Sequence, residues 1–199
     1  MSKRPGPNKD NLEETRKIFL DEALKEFMEQ GYINASTNNI VLKSGMARGS
    51  LYYHFGDKNG LFKAVYKTEL TNAADAIKPV IKACTDPYEA LIKASQKFLD
   101  LCMKPTFRKI TLIEAQSAMS FEERLELQSV ILLSLIMPHI TELLEKGLFT
   151  GHTPQTFAVF LYGILGEIGR VFDFSDNITE TRQTYEHAFL ETMKKLKSA

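Results

Sequence analysis

The chain has 199 residues, 44% of them apolar, which suffices for one large domain or a small one beside a larger one and excludes global disorder. Lys plus Arg equals Asp plus Glu at 25 each, so the formal net charge is zero, which taken whole argues against nucleic acid as a partner. Two cysteines without metal-ligand spacing, Cys84 and Cys102, read as reduced thiols of a cytoplasmic protein, and no signal-peptide run follows the start MSKRPGPNK. The most apolar window, Val130 to Met137, is only eight residues long. Crossing a bilayer takes roughly 20 residues, so no membrane role is expected.

Helical periodicity then runs through nearly every segment. Asn11 with Glu14 suggests a capping box, and Leu20, Ala23, Leu24 and Phe27 make one apolar stripe behind it. Gly31 is expected to end that helix in a left-handed conformation. A short helix follows from Ser36, its cap, to Ser44, with Ile40 and Val41 inward. Gly45 breaks it, and a second short helix begins near Arg48 and ends at Phe55 or Gly56. Asp57 caps a long helix that turns Leu61, Phe62, Val65 and Leu70 inward and runs towards Lys78.

Longer helices make up the rest. Asp86-Pro87 opens one that reaches about Met103, a further segment spans Phe107 to Met119, and Ser120 with Glu123 opens a helix ending at Gly147. Pro138 lies inside that helix and is expected to kink it, either making room for a ligand or bending it around its neighbours. Thr153-Pro154 opens the next helix, to about Phe172, and Asn177 with Glu180 opens the last. With no convincing strand, repeat or long linker, the fold class is all-α: an N-terminal three-helix helix-turn-helix domain over residues 1–60, joined to a larger helical domain over residues 61–199.

Charge is distributed unevenly along this plan. Ser36 to Lys67 carries Lys43, Arg48, Lys58, Lys63 and Lys67 against Asp57 alone, whereas Thr68 onward carries 14 basic and 17 acidic residues. A positive segment on a neutral to acidic remainder suits a phosphate-facing surface. Two short helices joined by a tight turn with glycine at its start suit a DNA reader whose second helix enters the major groove. Ile40, Val41, Met46 and Leu51 close the pair and Phe55 anchors it. Arg48 is then placed to donate to base edges or phosphate, Ser50 and Tyr52 to read bases, and Tyr53, His54 and Lys58 to hold phosphate oxygens. The alternative is that the aromatics are core or interface and the lysines an ordinary solvated face.

The stretch GYINASTNNIVLKSGMARGSLYYHFGDKNGLF, Gly31 to Phe62, closely resembles the DNA-binding region of TetR-family transcriptional regulators. Gly31-Tyr32 is similar to that family's glycine-aromatic corner, Ile40 to its inward position, Gly45 to its turn and Gly49 to its recognition-helix glycine. Leu51-Tyr52-Tyr53-His54-Phe55, with Lys58 and Leu61, is similar to its most recognisable run. The resemblance implies that Ser36 and Thr37 open the supporting helix near phosphate. It places Arg48, Gly49, Ser50, Tyr52 and Tyr53 on or beside the reading surface, with His54 and Lys58 on the backbone. A side chain at Gly49 would keep the helix from seating deeply. Departures are Ala35, Val41 and Ala47, the last lacking the hydroxyl of a helix cap worth about 1 kcal/mol. Lys3, Arg4 and Lys9 are either a flexible basic arm or a frayed terminus.

The resemblance also implies a ligand-responsive homodimer bound to double-stranded DNA, with two half-sites about 34–36 Å apart. The pairing surface is expected on the last two helices. Gly163, Gly166 and Gly169 lie at three-residue intervals, permitting close approach of a partner helix or fitting a crowded intrachain core. Tyr185, Phe189 and Met193 belong to the final apolar stripe. A cavity for a partly apolar small-molecule effector is expected among the middle helices. Phe98, Cys102, Phe107, Ile110, Met119 and Met137 are candidate walls, though each equally suits a plain core. Glu114, set between Leu112-Ile113 and Ala115, binds a cation or polar group of a ligand, or pairs with Arg108 or another basic side chain. Repression by release from a palindromic operator is the expected mode, with activation open and a helical binding or scaffold protein without DNA binding as the alternative. No cofactor, metal or enzymatic activity is expected, because His54, His139, His152 and His187 are scattered and no glycine-rich phosphate loop follows a strand.

Overall fold

The computed structural model describes residues 9–197, with side chains from residue 11. Among the described residues there are nine helices and no strand. Helix α1 spans Lys9–Asn34, α2 Thr37–Ser44, α3 Arg48–Phe55, α4 Lys58–Lys82 and α5 Pro87–Met103. Helix α6 covers residues 105–118, α7 Phe121–Glu145, α8 Pro154–Val171 and α9 Ile178–Lys197. The buried apolar side chains form one contiguous cluster from Phe19 to Met193.

At the front, α1 buries Phe19, Ala23 and Phe27 on one stripe. The helix is already formed at Lys9, so Asn11 lies inside it and does not cap it. Gly31 breaks the helical path with φ +71° and ψ 166°, a conformation that L side chains rarely adopt. The chain then doubles back into α2. Gly45 closes α2 in the left-handed region and returns its N–H to Leu42 O. Two residues later α3 begins, held inward by Leu51 and Phe55, the latter edge-on to Phe19 with 6.2 Å between ring centres. Asp57 caps α4, its Oδ1 accepting from Gly60 N at 2.7 Å. Gly60 is obligatory there, since a Cβ would sit 1.9 Å from the Phe55 carbonyl oxygen.

Helix α4 runs four residues beyond Lys78 and through Pro79, packing on α1 and α3 at one end and on α5 along the rest. Helix α5 is gripped between α4, α7, α8 and α9. Two stretches leave α-helical register for the wider π-helical one: Lys109–Glu114 within α6 and Ser129–Leu133 within α7. Periodicity at 3.6 residues gives no warning of either. The helix continues through Pro138, with the π-helical stretch ending about one turn before it. The apolar stretch of α7 is also longer than the eight residues read from the sequence. Over 25 residues it contains an 18-residue window of mean hydropathy 1.6, while Leu132, Leu133, Ile140 and Leu143 point into the core.

A buried carboxylate organises the front end. Glu26, 1% exposed, accepts from Ser36 N at 3.2 Å, Asn39 Nδ2 at 3.1 Å and Lys43 Nζ at 3.3 Å. Ser36 thus meets α2 through its backbone, and its hydroxyl makes no cap bond. Burial alone would raise the Glu26 pKa, but the Ser36 N–H, Asn39 and Lys43 outweigh it and hold the carboxyl below its ordinary 4.5. A carboxyl lowered on folding stabilises the fold above its unfolded pKa, and the contribution disappears as pH falls through the folded value. Glu26→Ala is expected to cost roughly 2 kcal/mol at neutral pH. Urea unfolding across a pH series should show that gap closing in acid; a gap independent of pH would remove the linkage.

Candidate nucleic-acid interface and effector cavity

Helix α3 has eight residues and uses two of them to stay folded. With Leu51 and Phe55 buried, the other faces turn out: Arg48 and Gly49 are exposed, Tyr52 is 39% exposed and Tyr53 73%. Ser50 and His54 are half-buried at the flanks. Arg48 Nη2 donates to the Tyr52 hydroxyl at 3.3 Å, and its guanidinium lies 5.6 Å from the centre of that ring. Hydrogen bonds with Arg48 first and then Thr37 lower the Tyr52 pKa, which places Thr37 at the same patch. Both α2 and α3 begin without a side-chain cap, so first-turn N–H groups remain available to an anion. A Cβ at Gly49 would meet nothing within 4 Å, so the protein's own packing does not require glycine at this position.

The cation tally of this segment overstated its positive face. Lys43 pairs with Glu26 and Glu29, each at 3.3 Å, and Lys63 pairs with Glu123. Lys58, expected on phosphate, places its ammonium on the carbonyls of Tyr32 (2.9 Å), Ile33 (3.0 Å) and Ala35 (3.2 Å), beneath the Tyr32 ring. An ammonium has three protons to donate, and all three have acceptors here. Arg48 and Lys67 are left on the outside. Arg16, which the sequence reading missed, joins them: it is exposed on α1 with its guanidinium 5.3 Å from the centre of the Phe55 ring at the end of α3. Its position three residues before Phe19 was the only available signal. Lys3, Arg4 and the side chain of Lys9 lie outside the described residues.

Glu114, expected in the effector cavity, instead reaches the reading domain. Its Oε2 accepts from Tyr32 N at 2.7 Å, and its two carboxylate oxygens lie 3.0 and 3.1 Å from where a Gly31 Cβ would stand. At the other end of the same π-helical stretch, Lys109 Nζ donates to Met28 O at 2.8 Å. Asn59 donates to Ala118 O beside them. The stretch is therefore fastened at both ends to the corner that precedes α2. Its opposite side presses Leu112 against Gly166 and Gly169 of α8. Arg108 finds Asp173 at 3.1 Å and the carbonyls of Cys102 and Met103, not Glu114.

An apolar cavity of about 40 Å³ lies among α4, α5, α7 and α8, with Phe98, Leu133, Leu161 and Tyr162 in its wall. Of the expected wall residues only Phe98 borders it. Phe107 stands behind Phe98, edge-on at 5.7 Å, while Cys102, Ile110 and Met119 are buried in continuous packing elsewhere. Cys102 Sγ would lie 2.8 Å from a Gly169 Cβ. Met137 lies with Ser129, Pro138 and Glu142 in an outer groove of α7. Tyr162 was missed because a tyrosine in an apolar helix resembles any core ring until its hydroxyl is located.

On the other side of α8, Phe160, Ile164, Tyr185 and Leu196 border an apolar groove of about 390 Å³ between α8 and α9. Phe189 and Met193, expected on the pairing surface, form its buried floor at 4% and 1% exposure. Gly166 faces away from it, buried against Leu112, and Gly163 opens on a cleft towards α7. The small residues of α8 thus serve intrachain packing at positions 166 and 169.

A short helix pair with an outward reading face, set on a helical body that encloses an apolar cavity, defines the class of helix-turn-helix regulators. Residues 19–65 match the family model of bacterial regulatory proteins of the tetR family, and residues 88–196 match that of the tetracyclin repressor-like C-terminal domain. The chain belongs to the tetR family. The HTH-type transcriptional regulator AcrR of Shigella flexneri is 36% identical over 67 residues, 34% of this chain and 31% of AcrR. LmrA of Bacillus subtilis is 35% identical over 79 residues, 39% of this chain and 42% of LmrA. Each match thus spans less than half the relative's length. A crystal structure of a TetR-family regulator from Pectobacterium atrosepticum aligns with a TM-score of 0.76 at 23% identity, covering 97% of this chain and 99% of that one, a likeness of fold.

Lys58→Met is expected to cost about 1–3 kcal/mol of stability by leaving the Tyr32, Ile33 and Ala35 carbonyls unpartnered. The salt dependence of DNA binding should keep its slope. A slope lower by about one would return Lys58 to a phosphate contact.

Proposed function

We propose that this protein is a transcriptional regulator that binds double-stranded DNA as a homodimer and leaves a palindromic operator when a small, partly apolar molecule fills its cavity. The observation that carries the reading is the division of labour on α3. Leu51 and Phe55 hold the helix, Arg48, Gly49, Tyr52 and Tyr53 are exposed, and Ser50 and His54 stand half-buried at the flanks. Arg48, Ser50 and Tyr52 are the candidates for base edges, and Gly49 lets the helix seat. Tyr53, His54, Arg16, Ser36, Thr37 and the open ends of α2 and α3 are the candidates for phosphate. Phe160, Ile164, Tyr185 and Leu196 supply the pairing surface over the Phe189 and Met193 floor. A DNA partner in turn places the protein in the cytoplasm.

The route from cavity to DNA runs through two elements. Helix α4 borders the cavity at Ile77 and meets α3 at its other end. The π-helical stretch of α6 packs against α8 and grips the Met28 to Tyr32 corner. A ligand that favours one arrangement of these elements biases the separation of the two reading helices by its differential affinity. Release on binding makes repression the mode that this arrangement supports.

Selection of bound sequences from random duplex DNA tests the central statement: a palindromic consensus is expected, and enrichment of nothing would overturn it. Gly49→Ala should act with opposite signs, raising thermal stability by up to about 1 kcal/mol while weakening operator binding. Unchanged binding would take Gly49 off the DNA. Phe160→Glu is expected to shift sedimentation from dimer to monomer.

A further inference from the structure

Two adjoining spaces in the larger domain share one wall, and that wall carries a phenol without a partner. The inner space is the apolar cavity of about 40 Å³. The outer one, about 330 Å³, opens between α7 and α8 and is bordered by Gln116, Arg124, Gln128, Gly163 and Arg170. Tyr162 lines both. Its hydroxyl oxygen is sealed from solvent with no hydrogen-bond partner among the described residues, although buried polar groups in folded proteins are nearly always bonded. Burial holds this phenol well above its ordinary pKa, so it keeps its proton and is a donor in search of an acceptor.

The two sides of Tyr162 differ in chemistry. No charged side chain lines the inner space, and its only other hydroxyl, on Ser95, already donates to Leu91 O at 2.8 Å. A charge placed there would lose its hydration and gain no counter-ion, so what enters is apolar. The outer cleft carries two guanidiniums and no carboxylate in its lining, and both act on Tyr162 through their charge. Arg170 is held by Glu167. Arg124 places Nη1 on the carbonyls of Ala115 (3.4 Å) and Met119 (2.6 Å); among the described residues its other nitrogens make no hydrogen bond, although the neighbouring Glu122 carboxylate feels its charge. Beside them Gln128 Nε2 donates to the Tyr66 hydroxyl at 2.7 Å, which leaves the Tyr66 proton for a further acceptor.

We propose that the two spaces form one site for an amphipathic anion: an apolar tail in the inner cavity, a carboxylate head at Arg124, and the Tyr162 hydroxyl donating to a head oxygen. The proposal deepens the effector reading above and rests on it. The inner space has to widen to take a tail. The wall it has for this is Leu132 and Leu133, which belong to the π-helical stretch of α7, where the backbone already departs from α-helical register.

Calorimetric titration of the full-length protein with octanoate and dodecanoate, against 1-octanol and 1-dodecanol, tests the head and tail together. The carboxylates are expected to bind about tenfold or more tightly than the alcohols of equal length. Tyr162→Phe, which removes a single oxygen, and Arg124→Gln should each weaken carboxylate binding about tenfold and alcohol binding by clearly less. Equal binding of acids and alcohols, binding of neither, or carboxylate binding indifferent to both substitutions would overturn the proposal. The acid-against-alcohol comparison on the unaltered protein stands even if Arg124→Gln loosens the end of α6. Operator binding by the ligand-free protein, measured alongside, separates the two readings: retained operator binding without carboxylate binding sinks the ligand class alone. Absent operator binding with tight carboxylate binding upholds the site and sinks the regulator.

Discussion

The front of this molecule depends on one corner. Gly31 turns the chain at a φ of +71°, and the turn aims the Tyr32 N–H at the Glu114 carboxylate. The same corner presents the carbonyls of Tyr32, Ile33 and Ala35 to the Lys58 ammonium. An unpaired peptide group away from water costs about as much as a lost hydrogen bond, and a charged partner gives more than a neutral one. The corner is therefore fixed from two directions, by α4 within the reading domain and by α6 from the regulatory core. The start of α2, and through it the placement of α3, follows from how that corner is held.

This arrangement explains why a π-helical stretch sits where it does. Lys109 and Glu114 mark its two ends, and both reach α1, while Leu112 between them reaches α8. An α-helical register over the same residues would rotate these side chains relative to one another, and the three contacts would not be met together. Helix α6 thereby touches both the DNA-reading end and the helix bordering the proposed dimer surface. Under the proposed effector reading, a change in its register or tilt would reach both.

Several features were legible in the sequence because their causes are local. The caps at Asp57, Asp86, Ser120, Thr153 and Asn177 each act within three residues of themselves, and each appears as read. The breaks at Gly31 and Gly45 follow from backbone sterics at single positions. The alternation of held and free positions on α3 follows from the 3.6-residue period over eight residues. Cations were misread for the opposite reason: Lys43 meets acceptors 14 and 17 residues away, Lys58 23 to 26 and Lys63 60, and no short window along the chain joins them.

What the sequence alone determined was the helical class, most element boundaries and the outward face of α3, since propensity, capping and periodicity operate between near neighbours. What only the tertiary structure decided was which side chains share a space. It moved Glu114 from the cavity to the Tyr32 corner, Gly166 to intrachain packing against Leu112, and Met137 to an outer groove. It also buried the Tyr162 hydroxyl with no hydrogen-bond partner among the described residues, in a residue that lines both an apolar cavity and a cleft bearing two guanidiniums. Periodicity says which face of a helix is buried, but the partner across that face is set by how helices far apart in the chain come to pack, and that is a property of the folded whole.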